Sequence, residues 1–201
     1  ISDDLIIKDR LRALIDLCLD PRFERKALFE LTSIEYIAPA DARSTGLAKD
    51  SIDVHTSYTV LEHIPRETIK AILNEGNRIT KPSGIFIHRI DYSDHFSHSD
   101  PNIASINFLR YSETIWRIIS GNRYMYMNRL RHDDFLRMFI EAGHDIIASE
   151  PEIDLHALNL LQTGKLKLAT DFKNRDYDAL SIRGAWIVSR GPRKEGSAEA
   201  K

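Results

Sequence analysis

The chain has 201 residues, of which 42% are hydrophobic and 29% charged, and its 28 Lys and Arg against 30 Asp and Glu give a formal net charge of −2. This length and composition predict one soluble globular domain that buries roughly 70% of its extended surface, which excludes a largely disordered protein. Because Lys and Arg form no long run, the charge pattern argues against a nucleic-acid partner.

The single cysteine and the short apolar runs indicate the cellular compartment in which the protein is expected. Cys18 is the only cysteine, so no intrachain disulfide or thiolate metal site can form, which favours a reducing cytosol. Apolar runs do not exceed four residues, whereas a membrane-spanning helix needs roughly 20, and no targeting segment is visible. We therefore expect a cytoplasmic protein without a membrane partner. The first residue is Ile1 rather than Met, so we also expect a piece of a longer chain.

Apolar spacing and capping signals predict five helices. In the first, apolar residues recur every three or four positions from Ile7 to Cys18, which is one stripe of an amphipathic helix. Asp20 and Pro21 suit the N-cap and first position of the second, which runs to about Leu31. The others cover residues 65–79 with Ile69, Ile72, Leu73 and Ile79 inward, residues 133–142 ended by Gly143, and residues 154–161 capped by Asp154.

Short β-prone segments alternate with these helices. They predict strands at residues 34–38, 52–57, 85–90, 144–149 and 184–189. The alternation indicates an α/β fold whose twisted sheet is mainly parallel and has helices on both faces. In such sheets ligands bind beyond the carboxyl ends of the strands. The candidate site therefore comprises the residues that follow the strands: Asp41 and Ala42, residues 57–63 and residues 91–100.

Two stretches carry a resemblance to a known family. Residues 52–65 read IDVHTSYTVLEHIP, and residues 81–87 read KPSGIFI. In this order they resemble class I S-adenosylmethionine-dependent methyltransferases of the type 11 kind, whose fourth strand typically ends in VLEH and whose next helix runs into an LKPGG turn. The resemblance covers roughly residues 30–150, with residues 186–189 similar to the final antiparallel strand. It implies a Rossmann-like sheet, S-adenosylmethionine as the cofactor and methyl transfer to a small-molecule acceptor.

The resemblance also implies roles for individual residues. Asp41 would receive the adenine amino group, and the backbone of Ala42 would touch the ring edge. Ser57 and Tyr58 would line the methionine arm of the cofactor. Glu62, together with His63, would flank the bound cofactor or the substrate.

Part of the family pattern is not visible. No G-x-G occurs, and the first glycine is Gly46, so the first strand with its glycine-rich loop is expected to be absent, as is the acidic end of the second strand. We therefore expect residues 1–190 to be the C-terminal two thirds of a methyltransferase domain. An alternative is a methyltransferase-like binding module that is not catalytic and no longer holds the cofactor.

About forty residues separate Asp91 from the helix near Asp133, where such folds usually have connections of about 2 to 6. We expect residues 92–131 to be an insertion that caps the substrate. Its aromatic residues Tyr92 and Phe96 would stack on the acceptor, and Arg129 or Arg131 would hold a carboxylate or phosphate by paired hydrogen bonds. The aromatic residues could equally pack a small satellite core, with the arginines solvated. Residues 191–201 are expected to form a flexible tail.

Histidine and aspartate are densest between His88 and Asp100. Methyl transfer from a sulfonium requires a positioned acceptor and, for some acceptors, a base, and histidine titrates near neutrality. The candidate bases are His63, His95 and His98, whereas His55 and His144 lie within predicted strands and favour structural roles. A second alternative is a metal-dependent hydrolase that uses the 88–100 cluster as ligands. Because the second ligand pair of such motifs is missing, no metal site is assigned.

Overall fold

The computed structural model describes residues 8–121 and 126–192. The chain divides between Asp41 and Ala42 into two compact units. Of the expected C-terminal tail, residues 193–201 lie outside the described part of the chain. No helix within the described residues is both long and apolar enough to cross a membrane.

The first unit contains two helices, α1 at Lys8–Leu19 and α2 at Arg25–Thr32. α1 lies where the apolar spacing predicts it. The expected start of the second helix at Pro21 is wrong, because the Asp20 carboxylate accepts a hydrogen bond from the backbone N–H of Arg22 at 2.8 Å. This contact closes a turn, and α2 begins only after it.

The expected strand at residues 34–38 is also wrong. This segment pairs with no strand among the described residues. Tyr36 instead stacks on Phe29 of α2, with ring centroids 5.6 Å apart. A β-prone run becomes a strand only where a neighbouring strand satisfies its backbone groups, and the local sequence does not specify that neighbour.

Four strands form the sheet of the second unit: β1 Ile52–Tyr58, β2 Thr80–Asp91, β3 Asp145–Ile153 and β4 Ile182–Arg190. Their order in the sheet is β1-β2-β4-β3. β1 and β2 are parallel, whereas β4 is antiparallel to both β2 and β3. The α/β class and the antiparallel last strand are therefore confirmed. The sheet is mixed rather than mainly parallel, because β4 lies between β2 and β3 and contributes two antiparallel pairings.

α3, at Arg66–Ile79, connects the two parallel strands. It follows Pro65, and its predicted inward residues are all buried: Ile69, Ile72, Leu73 and Ile79. The expected turn at residues 81–84 is instead part of β2, at a point where the register between β1 and β2 shifts.

The other helices of the second unit are α4 Glu113–Ser120, α5 His132–Glu141, α6 Leu155–Gln162 and α7 Tyr177–Ser181. α5 and α6 lie where the sequence predicts helices. Gly143 follows α5 with φ +85°, a left-handed conformation that glycine adopts without steric cost.

The main core lies between one face of the sheet, α3 and α5. It contains Leu61, Ile69, Leu73, Ile90, Tyr92, Leu130, Phe135, Met138, Phe139, Ile182, Ala185 and Ile187. Because side chains alternate along a strand, His88 and Ile90 of β2 face this core, while Arg89 faces the opposite side of the sheet. α3 and α5 thus share one face and do not provide the expected helical cover on both.

A second core joins the long connection after β2 to the C-terminal helices. Its buried members are Ile106, Phe108, Leu109, Trp116, Met127, Ala157, Leu161, Leu166, Phe172 and Leu180. Trp116 is fixed further by its indole N–H, which donates to the carbonyl of Met127 at 2.9 Å. Most aromatic residues of the connection thus pack a satellite core, the alternative that the sequence left open. Residues 92–131 as a substrate cap remain a prediction.

Replacing Asp154 with alanine should lower the free energy of unfolding by about 1–2 kcal/mol. The Asp154 carboxylate accepts hydrogen bonds from the backbone N–H groups of His156 and Ala157 at the start of α6 and from the Ser105 hydroxyl. Urea unfolding of the variant measures the loss. Asp154→Asn, which keeps an acceptor oxygen at the N-cap, should lose less than the alanine variant, and equal losses would contradict a capping role.

Candidate functional site

Two short 3-10 helices follow the parallel strands. Leu61–His63 comes directly after β1, and His95–His98 comes after β2. Parallel neighbours end at the same edge of a sheet, so the polar side chains of both segments meet there. Four side chains of these segments, Glu62, His63, His95 and His98, lie with Asp91 from the end of β2, and we call the five residues the histidine cluster.

Ring contacts run through the cluster. His63 and His95 meet edge to face with centroids 4.9 Å apart, and His95 stacks on His98 at 4.7 Å. The predicted catalytic histidines therefore lie together, although nothing in this arrangement tests their catalytic role. Their proximity results from the common edge of β1 and β2, since 32 to 35 positions separate His63 from the other two.

Asn128 fixes the segment that carries Glu62 and His63. Its side-chain amide donates to the carbonyls of Leu61 and Ile64, both at 2.8 Å, and its backbone N–H donates to the carbonyl of Glu62 at 2.9 Å. Three hydrogen bonds from one residue thus hold a turn that has few internal ones.

Glu62 is the most deeply buried member of the cluster, with 2% of its surface exposed. Neither carboxylate oxygen has a hydrogen-bond partner. Burial raises the pKa of Glu62, because a low-dielectric surrounding disfavours the charged form. A buried carboxylate without partners is costly, so this residue requires a positive group or a proton beside it.

Asp91 lies between His95 and His98. Its Oδ2 is 3.5 Å from His95 Nε2 and 3.6 Å from His98 Nε2, and its Oδ1 accepts from the backbone N–H of Ser93 at 2.8 Å. Burial acts to raise the pKa of Asp91, but the contacts with His95 and Ser93 outweigh it and lower that pKa to about 2. The Asp91 carboxylate in turn raises the pKa of His95.

A cavity of about 340 Å³ opens next to the cluster, within the size range of small-molecule sites. Its lining includes Tyr58, Thr59, Asp91, Ser93, His98, Arg89 and Glu152. Arg89 donates to Glu152 at 2.9 Å across the sheet. Sequence reasoning missed Arg89 and Glu152 as site residues. The alternation of Arg89 with buried His88 and Ile90 was the signal that it faces the other side of the sheet.

The two residues predicted to line the methionine arm face opposite sides of β1. The Ser57 hydroxyl lies 2.7 Å from Nδ1 of buried His88 on the helix-covered face. Tyr58 is 66% exposed and borders the cavity. The structure therefore brings Tyr58, and not the Ser57 side chain, to the cavity.

The predicted adenine contacts fall at the junction of the two units. Asp41 is the last residue of the first unit and Ala42 the first of the second. Both are exposed, and no strand of the described residues precedes them. Their roles remain predictions.

The predicted substrate contacts lie mainly inside the protein. Tyr92 is 2% exposed, and its hydroxyl lies 3.1 Å from His132 Nδ1. Phe96 packs against the satellite core. The guanidinium of Arg129 donates to the carbonyls of Phe108 and Tyr111 and to the Glu113 carboxylate. These internal contacts do not favour a substrate role, which remains a prediction.

Arg131 is fully buried. Its guanidinium donates to the backbone carbonyls of Tyr92, Leu180 and Ile182. Like Arg129, it is not solvated, so the sequence alternative of exposed arginines is wrong for both residues.

The proposed metal-binding cluster at residues 88–100 does not assemble as a whole. His88 faces the core beside His55, and its ring is 0% exposed. Asp94 accepts from the backbone N–H of Phe96, and Asp100 accepts from Asn102. Among the described residues, the groups that could hold a metal ion are Glu62 with His63 and His95, and Asp91 with His95 and His98.

These features define the second unit as an α/β protein with a polar site beyond the ends of two parallel strands. The family model described as "Methyltransferase domain" matches residues 9–88, a range that includes β1, α3 and most of β2. Over these residues the chain is similar to the methyltransferase-domain family, in agreement with the resemblance. The match begins earlier and ends earlier than the range of roughly 30–150 expected from the motifs. No curated protein sequence matches the chain significantly.

Three solved structures illustrate the structural similarity. One chain of the complex that contains the Haloferax volcanii Trm112 methyltransferase activator is 19% identical to the present protein, with a TM-score of 0.44. The match covers 76% of the present chain and 60% of the chain from the complex. A SAM-dependent methyltransferase from Methanosarcina mazei is 12% identical, with a TM-score of 0.45 and coverages of 76% and 65%. Geranyl diphosphate C-methyltransferase from Streptomyces coelicolor A3(2) is 12% identical, with a TM-score of 0.48 and coverages of 83% and 58%. This chain spans less than two thirds of each, and at these scores we draw nothing further from them.

Proposed function

We propose that this chain takes part in S-adenosylmethionine-dependent methyl transfer to a small-molecule acceptor. The observation that carries the proposal is the cavity beside Tyr58 and His98, beyond the carboxyl ends of β1 and β2. Ligands of open α/β sheets bind at this edge. The match to the methyltransferase-domain family over residues 9–88 supplies the reaction class.

The described residues fit one wall of a donor site. S-adenosylmethionine, when bound, supplies a methyl group on a sulfonium. Tyr58 presents an exposed aromatic ring at the lip of β1, which suits contact with a cation such as the sulfonium. The cofactor contacts that the resemblance implies for Asp41, Ala42, Ser57 and Glu62 stay predictions, although the Ser57 side chain does not face the cavity. The described residues contain no strand followed by a glycine-rich turn, so they do not form the whole of a donor site.

Of the three candidate bases, His98 is the one that borders the cavity. About half of its side chain is exposed, and its Nε2 lies 2.9 Å from the Ser93 hydroxyl and 3.6 Å from Asp91 Oδ2. An acceptor in the cavity can pass a proton to this imidazole, and the Asp91 carboxylate stabilises the imidazolium that forms. His63 and His95 face Glu62 instead and are less suited to this step.

Titration of S-adenosylhomocysteine into the chain tests the donor side of the proposal. We expect Tyr58→Ala to weaken binding at least tenfold, a loss of about 1.4 kcal/mol. Tyr177→Ala, which removes another partly exposed tyrosine, should leave the affinity within twofold. His98→Gln should also leave it within twofold but slow transfer of labelled methyl groups to acceptors. Equal affinities of the wild type and Tyr58→Ala would contradict the proposal.

A non-catalytic binding module is the second candidate, favoured by the missing glycine-rich turn among the described residues. The same titration separates the two candidates. Failure of this chain and of any longer form that the coding sequence specifies to bind S-adenosylhomocysteine would favour the module. Binding by the longer form alone would favour a catalytic site completed by further residues.

A further inference from the structure

The Glu62 carboxylate is buried and has no hydrogen-bond partner. It is 2% exposed, and both of its oxygens lack hydrogen-bond donors. The imidazole Nε2 of His63 lies 4.0 Å from Glu62 Oε1. Buried carboxylates are normally paired or coordinate a metal, so the pocket around Glu62 is built for a cation.

His63 is oriented as a ligand towards the same point. Its Nδ1 lies 2.9 Å from the carbonyl oxygen of Tyr126. A carbonyl can only accept, so Nδ1 carries the hydrogen and donates, which leaves the lone pair on Nε2. A ring nitrogen that donates to a backbone carbonyl while the other faces a cation is the usual arrangement of metal-binding histidines.

His95 completes the set. Its Nε2 is buried, and its contact with Asp91 Oδ2 at 3.5 Å is too long or poorly aligned to count as a hydrogen bond. The donor atoms of Glu62, His63 and His95 all lie within 4.8 Å of one another. Ligand atoms around a tetrahedral cation are roughly 3.4 Å apart, since metal–ligand distances are about 2.1 Å, so small side-chain rotations bring the three atoms to one ion.

We propose that Glu62, His63 and His95 bind one divalent transition-metal cation, with zinc as the preferred ion. Two imidazoles and one carboxylate form a donor set that suits zinc and its neighbours and disfavours magnesium, which prefers oxygen ligands. Three protein ligands leave a coordination position for water or another ligand. The cation ties the turn after β1 to the turn after β2.

The second group, Asp91 with His95 and His98, is the weaker site. Asp91 Oδ1 already accepts from Ser93, and His98 Nε2 lies 2.9 Å from the Ser93 hydroxyl. These groups are thus satisfied within the protein, unlike Glu62. In the proposed arrangement Asp91 stays beside His95, and His98 remains at the cavity. The metal proposal does not depend on methyl transfer.

Zinc and cobalt titrations of the tag-free, chelator-treated chain test the site. We expect one equivalent of Zn²⁺ to bind and to raise the melting temperature, and one equivalent of Co²⁺ to give visible d–d absorption, a direct sign of coordination. Glu62→Gln and His63→Gln should each weaken Zn²⁺ binding at least tenfold and remove the Co²⁺ bands. Mg²⁺ in excess should not compete.

Two control variants each remove a carboxylate or an imidazole outside the proposed metal site. Glu67→Gln on α3 and His156→Gln on α6 alter exposed residues and should keep wild-type affinity. Absence of stoichiometric Zn²⁺ binding and of the Co²⁺ bands in the wild type would overturn the proposal. So would loss of binding in His98→Gln with binding retained in His63→Gln and Glu62→Gln, which would place the ion on the other group. Zinc binding that persists while neither this chain nor a longer form binds S-adenosylhomocysteine would reject the proposed function and keep the metal site.

Discussion

Replacing Arg131 with methionine should lower the free energy of unfolding by about 3–5 kcal/mol. The guanidinium is 0% exposed and donates to the backbone carbonyls of Tyr92, Leu180 and Ile182. Burial lowers the pKa of Arg131 to about 10, so the group is still charged at neutral pH. Methionine fills a similar volume but leaves three buried acceptors without donors, and each such loss costs about 1–3 kcal/mol. Relief of the buried charge offsets part of the sum.

Urea unfolding of Arg131→Met, Arg131→Lys and Arg137→Met measures this effect. Arg131→Lys should fall between the wild type and the methionine variant, since an ammonium cannot reach all three carbonyls with the geometry of a guanidinium. Arg137 lies on α5, the helix that follows Arg131, but is exposed, so its replacement should change stability by less than about 0.5 kcal/mol. A loss for Arg131→Met no larger than that for Arg137→Met would contradict a structural role for Arg131.

The buried arginines show where sequence reasoning reached its limit. An arginine in a polar connection is normally solvated or holds a ligand, and nothing near Arg131 in the sequence marks it as internal. Its acceptors at Leu180 and Ile182 follow about fifty residues later. The carbonyls that accept hydrogen bonds from Arg131 come together only in the folded chain, so the need for a buried donor at this position could not be predicted from the sequence.

The sequence predicts a helix or strand correctly where the formation of that element depends on its own residues alone. Pro65 and the spacing of Ile69, Ile72 and Leu73 define α3 without reference to the rest of the chain. The segment at residues 34–38 has equally β-prone residues but no partner strand among those described. The mixed sheet was not predicted from the sequence for the same reason, because pairings between distant segments set the direction of each strand.

The candidate site was predicted in part. The carboxyl-end rule brought His63, His95 and His98 together correctly, since each follows one of two adjacent parallel strands. Side-chain direction was harder to predict. Ser57 and Tyr58 were expected to line the same arm, yet alternation along β1 places the Ser57 hydroxyl against His88 and Tyr58 at the cavity.

Acidification from pH 7 to pH 4.5 should destabilise the protein by several kcal/mol, because two buried histidines, His88 and His144, lie close to the half-buried His55 and have no counter-charge beside them. His55 Nδ1 lies 3.3 Å from His88 Nε2, and the rings of Phe86 and Phe139 separate His88 from His144. Burial, followed by repulsion from His55 and His144, lowers the pKa of His88 to about 3. Burial lowers the pKa of His144 to about 4 and lowers that of His55.

The sign follows from the protons bound in each state. Above pH 6.5 these histidines are neutral in both the folded and the unfolded chain, so their stabilising contribution is complete. Below pH 6.5 the unfolded chain binds protons that the folded core refuses until about pH 4 or 3, so stability falls with pH. Each histidine contributes a slope of about 1.4 kcal/mol per pH unit in this window, which amounts to a loss on the order of 3 kcal/mol each for His144 and His88 between pH 6.5 and pH 4.5.

Urea unfolding at several pH values between 7.5 and 4.5, monitored by tryptophan fluorescence, measures the slope. His88→Leu replaces a titrating group by an apolar one of similar size and should flatten the slope by about one proton, whatever its effect at pH 7. His156→Leu removes an exposed histidine and should keep the wild-type slope. Parallel curves for His88→Leu and the wild type would mean that His88 binds its proton over the same pH range in the folded protein as in the unfolded chain. The core beneath the strand ends that carry the site would then become charged in acid instead of staying neutral.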